Sequence, residues 1–148
     1  MELAETLANN YVFRGLPETE INELASLAEV KEYRGGDRIL RQFEKSFDVF
    51  VILEGKALSR TFKEEIVSEF GPGSVVGEIA LIDRKPRSTN VVSVGNSKVA
   101  IIPATAILAI MNRDINAKAI ILENIVNVLC MRLRAMNEHV DSMTVPFR

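Results

Sequence analysis

The sequence predicts an α+β fold that is mainly β: an antiparallel β-roll or jelly roll with short N-terminal helices, a one-turn helix inside the β-rich part, and two C-terminal helices. The main observation is that residues 30–102 consist of short segments rich in Val, Ile and Phe, separated by turn residues. Short strands with frequent turns are typical of sandwiches and barrels. Before and after this part, apolar residues recur every three or four positions, which predicts amphipathic helices.

The length of 148 residues predicts a single domain. Within it we expect N-terminal helices in residues 1–29, the β-roll in 30–102, C-terminal helices in 103–140 and a loose tail in 141–148. A content of 47% apolar and 26% charged residues is ordinary for a globular protein.

The N-terminal part predicts two helices. Residues 2–10 place Leu3 and Leu7 on one helical face. Pro17 suits the first position of a second helix, where its missing N–H costs nothing. The spacing of Ile21 and Leu24 predicts that this second helix packs on the core.

The central part predicts a series of strands separated by turns. Glycine and proline mark most of the turns, because they punctuate regular structure. The predicted strands are 38–42, 48–53, 57–62, 65–70, 89–94 and 98–102, and the predicted turns lie at Gly35-Gly36, Gly55, Lys63-Glu64, Gly71-Pro72-Gly73 and Gly95-Asn96.

The C-terminal part predicts one helix starting at Pro103 and a longer one capped by Asp114. The polar face of the long helix is expected to carry Arg132, Arg134 and Glu138. Its apolar stripe follows steps of three and four and consists of Ile121, Ile125, Val128, Leu129, Leu133, Met136 and Val140. Such a stripe is suited to the core or to a two-fold contact between copies of the chain.

The segment from Gly77 to Val91, G-E-I-A-L-I-D-R-K-P-R-S-T-N-V, contains the most informative pattern. Gly77 lets backbone approach a ligand closely, and the helix that begins at Glu78 presents unpaired N–H groups, which favour anions. Arg87 offers a fork of donors that matches two phosphate oxygens, and Ser88 adds a hydroxyl. The carboxylate of Glu78 would repel phosphate, so we expect it to accept a hydrogen bond from a sugar hydroxyl instead.

This segment resembles the phosphate-binding cassette of the cyclic nucleotide-binding domain family, which includes kinase regulatory subunits, the catabolite activator protein and cyclic-nucleotide-gated channels. The resemblance extends from about residue 13 to residue 137 and is strongest in the cassette. The matching residues are Gly77, Glu78, Ala80, Leu81, Pro86, Arg87 and Ser88.

The resemblance implies a role for each ligand-binding residue. Glu78 would bind the ribose 2′-hydroxyl, and Arg87 would bind the cyclic phosphate with help from Ser88 and the backbone N–H groups of Ile79 and Ala80. Gly77 and Thr89 complete the predicted set. The ligand implied is cyclic AMP, with cyclic GMP as the alternative, and the last helix would act as a lid over the base.

Two features of the sequence leave choices open. The lid contact could fall to Met131 or Arg134. Phe43 and Ser46 stand where the family usually has glycines, so this turn departs from the family pattern. A second hypothesis follows from these substitutions: a degenerate β-roll that binds no nucleotide and acts as a dimeric protein-interaction module.

The composition argues against several other functions. One histidine, His139, and one cysteine, Cys130, provide neither a catalytic set nor a metal site, so we expect no enzyme, no cofactor and no metal. A net charge of −2 argues against nucleic-acid binding. No stretch is long and apolar enough for a bilayer, so we expect a cytoplasmic protein whose partners are a cyclic nucleotide, a second copy or an effector protein.

Overall fold

The computed structural model describes residues 3–61 and 66–143 and confirms the predicted fold class, a mainly antiparallel β-roll with helices at both ends. The helices are Leu3–Ala8 (α1), Glu18–Leu27 (α2), Glu78–Asp83 (α3), Ala104–Arg113 (α4) and Ile115–Met143 (α5). The strands are Glu29–Tyr33 (β1), Arg38–Leu40 (β2), Val49–Arg60 (β3), Ile66–Phe70 (β4), Val75–Val76 (β5) and Asn90–Ile102 (β6).

Two long strands, β3 and β6, form the centre of the sheet. The strand order is β1-β6-β3-β4, while β2 also pairs with β6 and β5 also pairs with β3. Every pairing is antiparallel. The short strand β5 leads directly into α3, so the cassette helix starts beside the central strand β3.

The prediction that Gly55 ends a strand is wrong. β3 runs through Gly55, which has a φ of 91°, and the pairing with β6 shifts register on both sides of Glu54. A Cβ at Gly55 would lie only 2.5 Å from the carbonyl oxygen of Asn96. Glycine therefore permits a bulge within a continuous strand, because it combines a positive φ with close backbone approach.

The prediction of two strands separated at Gly95-Asn96 is also wrong, because β6 continues from Asn90 to Ile102. Gly95 has a φ of 66° and lies opposite the bulge in β3. The irregularities of the two strands coincide, so each strand bends and continues.

Other predicted boundaries also differ from the structure. α1 ends at Ala8, because the side chain of Asn10 accepts the N–H of Val12 at 2.8 Å and starts a turn. β2 ends at Leu40, two residues earlier than expected. α5 continues to Met143, so the first residues of the predicted loose tail are helical. The predicted turn at 63–64 and residues 144–148 lie outside the described residues.

Apolar side chains pack in two clusters. One lies between the helices and the sheet and contains Leu7, Phe13, Leu24, Val51, Leu81, Ile102, Ile107, Ile121 and Ile125. The other lies within the roll and contains Tyr33, Leu40, Phe50, Ile52, Phe70, Val76, Val91 and Val99. Leu81 of α3 belongs to the first cluster, and Val76 of β5 belongs to the second. The segment formed by β5 and α3 therefore contacts both clusters.

The apolar stripe of α5 divides into two parts. Ile121, Ile125 and Val128 are buried in the core, whereas Leu133 and Met136 are 58% and 50% exposed. The first part therefore anchors the helix and the second remains accessible. The predicted N-cap is confirmed, because Oδ1 of Asp114 accepts the N–H of Asn116 at 2.9 Å.

Within the described ranges, no helix is both long and apolar enough to cross a membrane.

Candidate functional site

A cavity of about 370 Å³ lies between α3, the open side of the roll and α5. All seven residues predicted from the sequence line it: Gly77, Glu78, Ile79, Ala80, Arg87, Ser88 and Thr89. The structure thus brings together side chains from the start of α3 and from the segment that precedes β6.

Gly77 is required at the start of the cassette by its conformation and by its neighbours. It has a φ of 90°, a value that side-chain-bearing residues rarely adopt. A Cβ there would lie 2.6 Å from Nη1 of Arg87 and 3.1 Å from the carbonyl oxygen of Asp48. The glycine therefore allows the buried guanidinium to pass directly beside the backbone.

Arg87 is buried, with 3% of its surface exposed. Its Nη1 donates to the carbonyl oxygen of Gly77 at 3.0 Å. Its Nη2 donates to Oγ of Ser46 at 3.2 Å and to the carbonyl oxygen of Asp48 at 2.8 Å. Three protein acceptors therefore fix the plane and direction of the guanidinium.

The Arg87 guanidinium keeps donors for a ligand. It carries five N–H groups, and three of them make the bonds just described. Its Nε is buried and has no partner among the described residues. Burial lowers the pKa of Arg87, but a guanidinium stays charged in proteins. An uncompensated buried donor on a cation is suited to an anionic ligand.

The turn that contains Phe43 and Ser46 keeps its contact with the cassette despite the absent glycines. Phe43 adopts a φ of 74°, a conformation normal for glycine, and its side chain is 71% exposed. The backbone N–H of Phe43 donates to the carbonyl oxygen of Arg87 at 2.8 Å. The backbone N–H of Arg87 donates to the carbonyl oxygen of Glu44 at 2.9 Å. Ser46 itself holds the Arg87 side chain.

Glu78 is fully buried. Its Oε1 accepts a hydrogen bond from Nη1 of Arg132, and its Oε2 is buried with no partner among the described residues. Burial raises the pKa of Glu78, while the positive charges of Arg132 and Arg87 act in the opposite direction. A carboxylate with one oxygen paired and the other unpaired can accept a hydrogen bond from a ligand hydroxyl.

Arg132 is a charged site residue that the sequence did not identify. It was expected on the polar face of α5, but it lines the cavity, bonds to Glu78 and donates to the carbonyl oxygen of Val75. Its guanidinium also lies 5.1 Å from the centre of the Phe70 ring. The available signal was helical spacing, since residue 132 lies three positions from Leu129 and four from Met136, which also line the cavity.

Neither residue suggested for the lid lines the cavity. The side of α5 that faces it consists of Leu129, Arg132, Leu133 and Met136. Met131 and Arg134 point elsewhere and are exposed.

The hydroxyl-bearing residues of the cassette occupy the open part of the site. Ser88 is exposed and Thr89 is half-buried, and both line the cavity beside Arg87. Ile79 is exposed and Ala80 is buried at the start of α3, where the first N–H groups of a helix have no intrahelical acceptor.

The floor of the cavity is a single row of residues across four strands. Leu40 pairs with Val91, Val91 with Ser59, and Ser59 with Ser68. All four line the cavity. Leu40 and Val91 make one end of the row apolar, and Ser59 and Ser68 place hydroxyl groups at the other end. The apolar end can contact the face of a flat ring, and the hydroxyl groups can bond to polar atoms at its edge.

In the part of the chain that the structure describes, no group of three or more His, Cys, Asp or Glu side chains could hold a metal ion.

This fold and this site define a regulatory ligand-binding domain of one family. A family model described as the cyclic nucleotide-binding domain matches residues 30–114, more than half of the chain. The chain belongs to the cyclic nucleotide-binding domain family.

A curated relative agrees with this assignment. Over 87 residues the sequence is 32% identical to a cAMP-dependent protein kinase regulatory subunit from Mycosarcoma maydis, covering 57% of this chain and 17% of that protein. The chain therefore spans less than a fifth of that relative's length.

Solved structures show the same fold. A cyclic nucleotide-binding domain from Methylobacillus flagellatus superimposes with a TM-score of 0.82 at 18% identity, covering 97% of this chain and 83% of that one. The Thermus thermophilus catabolite activator protein superimposes with a TM-score of 0.73 at 25% identity, covering 91% and 63%.

Proposed function

We propose that this protein binds 3′,5′-cyclic AMP in the cavity beside α3 and signals by a rearrangement of α5. The observation that carries the proposal is that a buried arginine and a buried glutamate line one cavity. Each has a polar atom with no partner in residues 3–61 and 66–143. The name of the kinase subunit relative supports cyclic AMP as the ligand.

The cyclic phosphate would lie at Arg87. Two of its five N–H groups have no acceptor in the part of the chain that the structure describes, which is the number that two-point binding of phosphate oxygens needs. Ser88, Thr89 and the backbone N–H groups of Ile79 and Ala80 would supply further donors. One negative charge on the ligand would then meet one buried positive charge.

The ribose would lie at Glu78, where Oε2, which has no partner among the described residues, can accept a hydrogen bond from the 2′-hydroxyl. The purine would then lie over the row of Leu40, Val91, Ser59 and Ser68. On its other side the cavity presents Leu129, Leu133 and Met136, whose apolar surface can cover an aromatic ring.

Signalling would use the C-terminal half of α5. Its first half is fixed in the core, whereas Leu133 and Met136 are half exposed at the cavity. Covering a base with these side chains would favour one position of the helix, and ligand binding shifts an equilibrium only through such a difference in contacts. No enzymatic step is part of this proposal.

The exposed apolar side chains of α5 can also form a contact surface for a second copy of the chain or for an effector protein. Val126, Leu133 and Met136 are spaced by seven and three residues and are each at least half exposed. This spacing fits a coiled-coil seam. A cytoplasmic location and a function as one domain are parts of the same proposal.

The hypothesis of a degenerate roll without nucleotide binding is weakened by the local geometry. It depended on Phe43 and Ser46, yet the turn bonds to Arg87 through backbone and through the Ser46 hydroxyl.

Thermal melting with and without cyclic AMP distinguishes a nucleotide-binding domain from an interaction module that binds no nucleotide. A ligand that binds only the folded state stabilises it by about 2.7 kcal/mol at one hundred times its Kd. The proposal predicts a rise in melting temperature that saturates with nucleotide, and 5′-AMP, which is not cyclised, is the control. An unchanged melting temperature at millimolar cyclic AMP would favour the interaction module.

A further inference from the structure

The helix α2 contacts the junction between α4 and α5 through charged side chains. Arg113, the last residue of α4, donates from Nη1 and Nη2 to the two carboxylate oxygens of Glu23 in α2, at 3.1 Å and 2.5 Å. Glu20, one turn before Glu23, forms a side-chain hydrogen bond with Asp114, the residue that follows α4. Two contacts therefore tie α2 to the point at which α4 ends and α5 begins. None of these four residues lines the cavity.

Asp114 takes part in both helices at this junction. Its backbone N–H donates to the carbonyl oxygen of Ile110 at 3.1 Å, which closes α4. Its Oδ1 accepts the N–H groups of Asn116 at 2.9 Å and Ala117 at 3.3 Å, which caps the start of α5. A side chain that fixes Asp114 therefore also fixes the residue from which α5 starts.

Glu20 is the unusual member of this group, because its side chain is buried. Only 7% of the residue is exposed, and its Oε2 is buried with no partner in the part of the chain that the structure describes. An ionised carboxylate is an acceptor only, so it cannot donate to a second carboxylate. A protonated carboxyl group has one O–H donor, which the Asp114 carboxylate can accept. The two acidic side chains can therefore share a hydrogen bond only while one of them holds a proton.

The charges that face Glu20 come from α2, from α4 and from the junction itself. Burial is the largest cause that raises the pKa of Glu20, and the negative charges of Asp114 and Glu23 act in the same direction. Arg113 favours the charged form, as does the N-terminus of α2, because Glu20 lies in its first turn. The pKa of Asp114 is lowered, first by its bonds to backbone N–H groups of α5 and also by Glu20. The proton therefore belongs on Glu20.

We propose that protonated Glu20 donates a hydrogen bond to the Asp114 carboxylate, so that α2 holds the α4–α5 junction at low pH and releases Asp114 as pH rises. When the proton is lost, two negative carboxylates face each other and repel. The salt bridge between Arg113 and Glu23 needs no such proton, so α2 and α4 stay in contact while Asp114 loses its partner. The start of α5 is then controlled by a proton at a place outside the cavity, whether or not a nucleotide binds.

The first test uses the unmodified protein and follows the side-chain carboxyl carbon of Glu20 by NMR as pH is raised to neutrality. We expect Glu20 to be mostly protonated at pH 4.5, the ordinary pKa of a glutamate, and to lose its proton at a higher pH. Hydrogen exchange of the Asn116 and Ala117 amides, corrected for the intrinsic effect of pH, should become faster over the same range, because Asp114 is their acceptor. A Glu20 side chain that is mostly ionised at pH 4.5, or amides whose protection does not change as Glu20 titrates, would overturn the inference.

The second test compares urea unfolding of the unmodified protein and Glu20→Gln across the same pH range. The amide of glutamine donates at every pH, whereas folded Glu20 holds a proton that the unfolded chain has lost above pH 4.5. Relative to the variant, the folding equilibrium constant of the unmodified protein should therefore fall by as much as about tenfold per pH unit from 4.5 to the pH at which Glu20 titrates. The contribution of Glu78 is common to both proteins and cancels.

Two further variants complete the comparison. Asp114→Asn keeps a side chain that caps α5 and can donate its own N–H to ionised Glu20, so it should lose the same part of the pH dependence. Glu18→Gln, an exposed position on α2, is the matched control and should behave as the unmodified protein does. An identical pH dependence in Glu20→Gln and the unmodified protein would overturn the inference.

Discussion

Replacement of Arg87 tests the phosphate site directly. Arg87 is 3% exposed, and after three bonds to the protein two of its N–H groups have no acceptor among the described residues. Loss of one partner of a desolvated charge pair costs about 2–5 kcal/mol. At about 1.4 kcal/mol per factor of ten, Arg87→Met should weaken cyclic AMP binding by roughly thirtyfold to several thousandfold.

The same substitution affects folding, because the Ser46 hydroxyl and the carbonyl groups of Gly77 and Asp48 each lose a donor. We expect a loss of about 1–3 kcal/mol for a buried acceptor left unpaired. A melting curve of the ligand-free variant is therefore recorded before the titration, to show that it is folded. Arg87→Lys is the second variant, because it keeps the positive charge but not the planar guanidinium. Lys85→Ala is the control, because it removes a nearby exposed positive charge, two positions from Arg87, without removing the proposed phosphate contact.

The assay is calorimetric titration with cyclic AMP at constant ionic strength. Unchanged affinity in a folded Arg87→Met variant, or equal losses in Arg87→Met and Lys85→Ala, would refute the assignment of the phosphate to Arg87.

Three further predictions concern single residues. Gly77→Ala should lower stability by about 1–2 kcal/mol or more and reduce cyclic AMP affinity, since its φ is 90° and its Cβ would meet Arg87; Gly71→Ala, whose Cβ meets nothing within 4 Å, is the control in urea unfolding and titration. Phe43→Gly should raise the unfolding free energy by about 1 kcal/mol, because Phe43 adopts a φ of 74° with an exposed side chain; a lower urea midpoint would contradict this. Burial raises the pKa of Glu78 in the ligand-free folded protein, so the folded state holds a proton at pH values where the unfolded chain has lost it. The unfolding free energy should therefore fall as pH rises from 4.5 through the raised pKa. Glu78→Gln should remove this part of the pH dependence, and an identical pH dependence in the variant would contradict the assignment.

The sequence predicts best those features that depend on neighbouring residues. The cassette is contiguous, so the grouping of Gly77, Glu78, Arg87 and Ser88 follows from local spacing, and the structure places all of them at one cavity. The cap of α5 at Asp114 is likewise local and confirmed.

Features that depend on distant residues could not be predicted in this way. Arg132 meets Glu78 across 54 positions of sequence, and only the docking of α5 brings the two together. Gly55 and Gly95 look like strand ends in isolation, yet paired bulges carry both strands through them. Phe43 takes a conformation typical of glycine because backbone bonds to the Arg87 segment hold it there.

The most direct measurement is a calorimetric titration of the unmodified protein with cyclic AMP and cyclic GMP, side by side under the same conditions. Saturable binding of cyclic AMP with one site per chain, tighter than that of cyclic GMP, is the result that we predict. Absence of saturable heat with both nucleotides, from a protein shown to be folded by its melting curve, would contradict the assignment of this cavity as a cyclic nucleotide site.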